Sequence, residues 1–154
     1  MIELLTTIVI IGVLAAIALP NFLGQVGKSK QAEAKTYLGT ITRAQQAYYA
    51  EHNQFATNFK DLGVGIEEKT NNYEYSTELI AEGKGAIAIA KPTVGATYKG
   101  YLGVTAIVDA ETNPVVATAI CESEGTGAAA NLNSSNVAVG ESEIVCTNGA
   151  VALK

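Results

Sequence analysis

Hydrophobic residues run without a charge from Leu4 to Leu19, and the only polar side chains among them are Thr6 and Thr7. Threonine hydroxyls can bond back to carbonyls of their own helix, so the stretch is compatible with lipid. Ile2 to Leu23 is 22 residues, about 33 Å of α-helix, enough to cross a ~30 Å hydrocarbon layer. Beyond Pro20 the pattern turns amphipathic. Ala34, Tyr37, Leu38, Ile41, Ala44, Gln45 and Tyr48 recur at spacings of three and four, while Lys28, Lys35, Thr42, Arg43 and Gln46 take the opposite face. The pattern predicts one helix from about Ile2 to His52, roughly 75 Å long and bent near Pro20. A domain built from the remaining residues has a diameter near ~30 Å, so about half the rod must protrude.

The period then changes to two. After a short helical turn within Phe55–Leu62, Tyr73, Tyr75, Thr77 and Leu79 alternate with Glu74, Ser76 and Glu78, and Gly85 to Ala90 alternates Ile with Ala. Tyr101 to Val108 and Pro114 to Cys121 read as two more strands, with Asp109 to Asn113 as the turn between them. Four strands with short connections predict an antiparallel meander, one face of which covers the apolar stripe of the helix. The fold class is therefore α+β, a long kinked N-terminal helix packed on a four-stranded sheet. Residues 1–24 form its hydrophobic half-helix and residues 25–154 its head.

Cys121 and Cys146 enclose a Gly, Ala, Ser and Asn-rich stretch, Gly125 to Gly140, without strong periodicity. A disulfide closing it would contribute about 3.5 kcal/mol by restricting the unfolded chain, and needs an oxidising compartment. Two separate buried thiols are the alternative. Zinc is disfavoured, because two Cys with one distant His make no tetrahedral set, and the spacing is not the C-x-x-C of a redox dithiol.

Composition narrows the function. Among 154 residues, charged ones make up 16% and apolar ones 48%, with positive mean hydropathy, more hydrophobicity than one core requires. Ten Lys plus Arg against fifteen Asp plus Glu give a formal charge of −5, so no continuous basic stripe for nucleic acid can form. The segment from Ala110 to Leu153 has five acids, Glu111, Glu122, Glu124, Glu141 and Glu143, and no Lys or Arg. An outward-facing surface of this kind is soluble and repels DNA. With one His (His52) and two Asp (Asp61, Asp109), no nucleophile–base pair, phosphate loop, carboxylate dyad or metal set stands out. No enzyme, metal or cofactor is expected. His52 suits a helix C-terminus or the surface, and Tyr48 reads as core. Asn133-Ser134-Ser135 fits the glycosylation pattern, with a polar loop tip as the plainer reading.

Glu3 needs a reason to exist, because an ionised carboxylate in a bilayer helix costs about 2.5–3.5 kcal/mol at the centre and less near an interface. It can complement the helix N-terminus, or it can seek a cation once helices are bundled away from lipid. A secretory signal peptide, the other explanation of the apolar run, wants a basic start, whereas this run starts Met1, Ile2, Glu3. Ile2-Glu3-Leu4-Leu5 followed by Ile11-Gly12-Val13-Leu14-Ala15-Ala16-Ile17-Ala18-Leu19-Pro20-Asn21-Phe22 closely resembles the N-terminal helix of type IV pilins. The head is most similar to pilins of the cyanobacterial branch. In mature members of that family two residues precede the position of Met1.

The resemblance implies a major pilin made as an inner-membrane protein, trimmed by a prepilin peptidase, N-methylated, and moved by assembly machinery into a helical homopolymer at the cell surface. Glu3 takes the family's acidic position, which pairs with the terminal amine of an adjacent subunit. Gly12 and Pro20 flank the stretch of helix that often loosens in filaments, and both residue types weaken helix, by about 1 and 3 kcal/mol. Thr6 and Thr7 depart from the family's aliphatics and Gln25 from its frequent aromatic. The function expected is a filament subunit supporting adhesion, twitching motility or DNA uptake, with no direct nucleic-acid contact. The alternatives are a minor pilin, a type II secretion pseudopilin, or a singly anchored binding protein.

Overall fold

The computed structural model describes residues 1–80, 83–110, 113–127, 132–140 and 143–153. Helix α1 runs from Ile2 to His52, 51 residues, matching the predicted rod of about 75 Å. It continues through Pro20, where the missing N–H leaves the Ala16 carbonyl without its usual partner. It closes at Asn53, whose φ of 53° is left-handed and whose N–H donates to the Tyr49 carbonyl. His52 is exposed with its Nδ1 3.1 Å from the Tyr48 carbonyl, as suits a helix end.

Strands β1 (Tyr73–Ile80), β2 (Gly85–Pro92), β3 (Lys99–Ala110) and β4 (Asn113–Thr126) form the antiparallel meander. Residues 111 and 112, within the turn expected from Asp109 to Asn113, lie outside the described ones, as does Glu141. Three short strands follow. β5 (Val137–Val139) and β6 (Ile144–Cys146) pair with each other, and β7 (Ala150–Ala152) pairs with β4, extending the sheet to five strands. The stretch read as featureless, 125–140, thus holds a 3-10 turn, Ser134–Asn136, and β5.

Both faces of the sheet are covered. Ala34, Leu38 and Ile41 of α1 pack on Tyr73, Tyr75, Ala88, Ala90, Tyr98 and Tyr101. On the other face Ile80, Ile87, Ile89, Leu102, Val104 and Cys121 lie beneath Leu132, Val137, Val139 and Ile144. The Ile–Ala alternation of β2 is therefore large against small rather than inside against outside. Small residues face α1 and let it approach closely, and isoleucines fill the space under the thinner β5–β6 layer. Gly103 continues the small side: a Cβ there would sit 2.8 Å from Thr42 Cγ2 and 3.5 Å from Leu38 Cβ.

Two helix residues lie differently from the sequence reading. Thr42, placed on the polar face, is only 6% exposed, because Gly103 leaves room for its methyl. Its Oγ1 donates to the Gly39 carbonyl at 3.1 Å, and its own carbonyl accepts from Thr105 Oγ1 at 3.4 Å. Tyr48, read as core, is half-buried and stacks on His52 with ring centroids 4.2 Å apart, since the sheet does not extend over that end of the stripe.

Gln45 is polar within the apolar stripe and buried. Its Nε2 donates to the Ala56 carbonyl at 3.1 Å and its Oε1 accepts from the Ala56 N–H at 3.0 Å, clipping the chain back onto the helix it has just left. Gln45→Met keeps the volume but strands both Ala56 groups in a buried site, at about 1–3 kcal/mol each. The expected result is a clear fall in the Tm of the full chain in detergent, followed by near-UV circular dichroism; an unchanged Tm would mean the clip contributes nothing.

Candidate functional site

The first half of α1 stands exposed along its length. Ile2, Leu4, Leu5, Ile8, Val9, Ile10, Ile11, Val13, Leu14, Ile17, Leu19, Phe22 and Leu23 are between 56% and 74% exposed, on every side of the helix. Each would gain about 1.5–3 kcal/mol on leaving water, so the segment as a whole is driven by tens of kcal/mol toward another apolar environment. It is long and apolar enough to cross a membrane by length and composition. An exposed apolar surface of this size marks a site of association with protein or lipid.

The candidate residues lie along this segment. Glu3 is exposed in the first turn, and its carboxylate makes no contact among the described residues. Thr6 Oγ1 donates to the Glu3 carbonyl at 2.9 Å and Thr7 Oγ1 to the Leu4 carbonyl at 2.8 Å, the internal bonding that a lipid-facing threonine needs. Beyond its chain neighbours and the helix's own backbone, nothing among the described residues lies within 4 Å of where a Gly12 side chain would begin. At ~1.5 Å per residue Glu3 and Pro20 are about 25 Å apart. One chain does not bring Glu3, Gly12 and Pro20 together, so any site they form is completed by other molecules.

Where α1 enters the head, side chains from separate elements converge. Tyr101 OH donates to Gln31 Oε1 at 2.8 Å and lies 3.2 Å from Glu122 Oε2. Glu122 also holds Lys99 Nζ and lies 3.9 Å from Lys35 Nζ. Lys35 sits over the Tyr101 ring at 5.1 Å and Lys30 over the Tyr98 ring at 5.3 Å. Glu33 accepts from Thr70 Oγ1 at 3.1 Å and Asn72 Nδ2 at 2.8 Å. Burial, then neighbouring phenols and Glu33, push the Tyr73 hydroxyl well above its ordinary pKa, and burial with Glu122 does the same to Tyr101. Both stay protonated and donate, Tyr73 to the Lys99 carbonyl at 2.8 Å. Sequence reading missed this junction, although the polar Gln31 and Glu33 just before the buried Ala34 were a signal. It also counted Glu122 among outward acids, whereas its charge is met by Lys99 and Lys35.

Burial raises the Glu122 pKa, but the Lys99 hydrogen bond and charge, Tyr101 and Lys35 outweigh it, so the carboxyl titrates below its ordinary 4.5. A depressed carboxylate contributes stability that is fully present above 4.5 and lost as pH falls through the lower folded-state value. The Tm of the native chain should therefore exceed that of Glu122→Gln at neutral pH, and the gap should close below pH 4.5. A gap independent of pH would remove the ionic role.

On the opposite face of the sheet, Cys121 and Cys146 form a disulfide with Cα atoms 6.0 Å apart and a sequence separation of 25, tying β4 to β6. The alternative of two separate thiols is thereby settled. Asn133, Ser134 and Ser135 are exposed beside it. Asn133 Oδ1 accepts from the Ser135 N–H at 2.9 Å, and Asn136 Oδ1 accepts from the Asn133 N–H at 2.7 Å, so the triplet caps the 3-10 turn.

Residues 31–147 match the family described as type IV pilin-like G and H. The type IV major pilin protein PilA of Myxococcus xanthus is 36% identical over 98 residues, 62% of this chain and 44% of that protein. The fimbrial protein EcpC of Eikenella corrodens is 31% identical over 107 residues, 68% of each chain. The present chain thus spans less than half the length of the Myxococcus protein. No solved structure matches.

Proposed function

The chain belongs to the type IV pilin family, structural and non-enzymatic, and on that premise we propose that it is the repeating major subunit of a helical pilus filament. The observation that carries this reading is the all-round exposure of the apolar half of α1, which only lipid or a bundle of like helices can cover. Before assembly residues 1–24 span the inner membrane; afterwards they form the filament core, and residues 25–154 the surface. A prepilin peptidase, N-methylation and the inner-membrane assembly machinery act on the subunit in this scheme.

Glu3 supplies the one ionic contact of the core, to the terminal amine of a neighbouring subunit, and Gly12 and Pro20 allow the helix between them to loosen on packing. The filament serves adhesion, twitching motility or DNA uptake, and its acidic head leaves DNA contact to another subunit. Asn133, Ser134 and Ser135, exposed on the head, are candidates for glycan attachment. Electron microscopy of sheared surface material with mass spectrometry of its subunits tests the assignment. Filaments built mainly of this chain with a methylated N-terminal amine are expected. Monomers that stay in the membrane fraction, with no filament containing the chain, would refute it.

A further inference from the structure

Three loops gather at the end of the head from which the apolar half-helix emerges. Strand β3 ascends alongside α1, since Tyr101 meets Gln31, Gly103 packs on Leu38 and Thr42, and Thr105 reaches the Thr42 carbonyl. Antiparallel β2 and β4 therefore descend, and the loops after them, with the loop before β1, cluster at the level of Lys30–Glu33. The parts of those loops at that level, residues 70–72, 92–98 and 125–127, contain no Asp, Glu, Lys or Arg; Glu67, Glu68 and Lys69 precede the first of them, and Glu33 of α1 bonds to its Thr70 and Asn72. At the tip of the middle one Val94 is 103% exposed, the most exposed large apolar side chain of the described head.

That display is held in place. The Thr93 N–H donates to the Asn72 carbonyl at 3.0 Å, the Ala96 N–H closes the turn onto the Thr93 carbonyl at 3.1 Å, and the Gly127 N–H donates to the Tyr98 carbonyl at 2.9 Å. Gly95 takes the positive φ of 84° that the turn requires. Gly127, at φ 57°, presses so closely that a Cβ would collide with the Ala96 carbonyl oxygen.

We propose that this rim, with Val94 as its apolar tip, Lys30 of α1 beside it over the Tyr98 ring and Lys28 exposed on α1, docks on the bilayer surface while the subunit awaits assembly. The inference rests on the reading that residues 2–23 span the membrane. Lys30 then lies about 10 Å beyond Leu23, and the turn points back toward the apolar end, which brings Val94 to the headgroup layer. The usual tilt of a spanning helix, about 20°, lowers one side of the rim further. The valine buries in the interfacial zone and the two lysines meet lipid phosphates. Lipid fits this rim better than a soluble partner does, because α1 already tethers it to the membrane.

The chain has no Trp, so a single introduced Trp reports alone. Three full-length variants, Val94→Trp, Leu79→Trp and Leu14→Trp, are reconstituted in vesicles of phosphatidylcholine and phosphatidylglycerol carrying nitroxide-labelled lipid. Leu79 is exposed toward the end of β1 that pairs with Gly85, away from the rim. Docking predicts blue-shifted, quenched emission for Val94→Trp, little quenching for Leu79→Trp, and a weaker effect at Val94→Trp when Lys28→Gln and Lys30→Gln are added. Quenching of Leu14→Trp with none at Val94→Trp overturns the docking alone, whereas no quenching of Leu14→Trp overturns the spanning helix beneath it. A blue shift at Val94→Trp that appears only in filaments and ignores the lipid quencher assigns the surface to a second copy of the chain, and also overturns the proposal.

Discussion

Glu3→Ala is expected to leave the subunit inserted in the membrane and to lower its incorporation into filaments by about 10²–10³-fold. The size follows from the asymmetry of a buried ion pair. Removing one partner strands the other charge in a non-aqueous bundle, at about 3–5 kcal/mol, and 1.4 kcal/mol is a factor of ten. Among the described residues no side chain shares this carboxylate: it is exposed in the first turn of α1, with Thr6 and Thr7 as its neighbours on the next turn. Insertion should survive, because the change makes the segment more apolar. Glu3→Gln separates charge from hydrogen bonding, and the ionic account expects it to fail nearly as badly. Fractionation of membranes against sheared filaments reads the result. Wild-type filament yield from either variant would strip Glu3 of its assigned part.

Severing the disulfide is expected to have the largest effect on the head. Strands β5 and β6 have three residues each, too short to persist as an isolated hairpin, and they cover the second face of the sheet only while Cys146 is held to Cys121. Losing such a bond from a small extracellular domain costs about 2–5 kcal/mol, roughly 5–15 °C of Tm. Cys146→Ala breaks it at the half-buried end, whereas Cys121→Ser also places a hydroxyl where exposure is 0%. Both should open residues 132–140 to proteases while β1 to β4 persist by far-UV circular dichroism, with Cys121→Ser the less stable. Unchanged protease resistance would mean that apolar packing alone holds the hairpin.

What could be read from the chain, and what could not, follows from the reach of each signal. The rod was visible because an uncharged run and a three-to-four spacing are local patterns, and β1 to β4 because alternation is local too. β5, β6 and β7 carry no such signature: three residues each, β5 and β6 become strands under a disulfide and over an apolar sheet face, and β7 by pairing with the free edge of β4. Thr42 was misplaced because its burial depends on Gly103, some sixty residues on. The junction at Glu122 was missed for the same reason, since Lys35, Lys99, Tyr101 and Glu122 come from three elements. The stretch carrying Glu3, Gly12 and Pro20 was legible as a motif, but the role proposed for it lies between molecules, where no single chain displays it.

The parallel course of α1 and β3 sets how the molecule bears tension. A pull along the rod loads the contacts of Ala34, Leu38 and Ile41 with the sheet in shear, so they must slip together rather than peel apart one by one. The β5–β6 hairpin hangs on the far side, off that line of force. Lengthwise load on the rod would thus leave that hairpin unstressed.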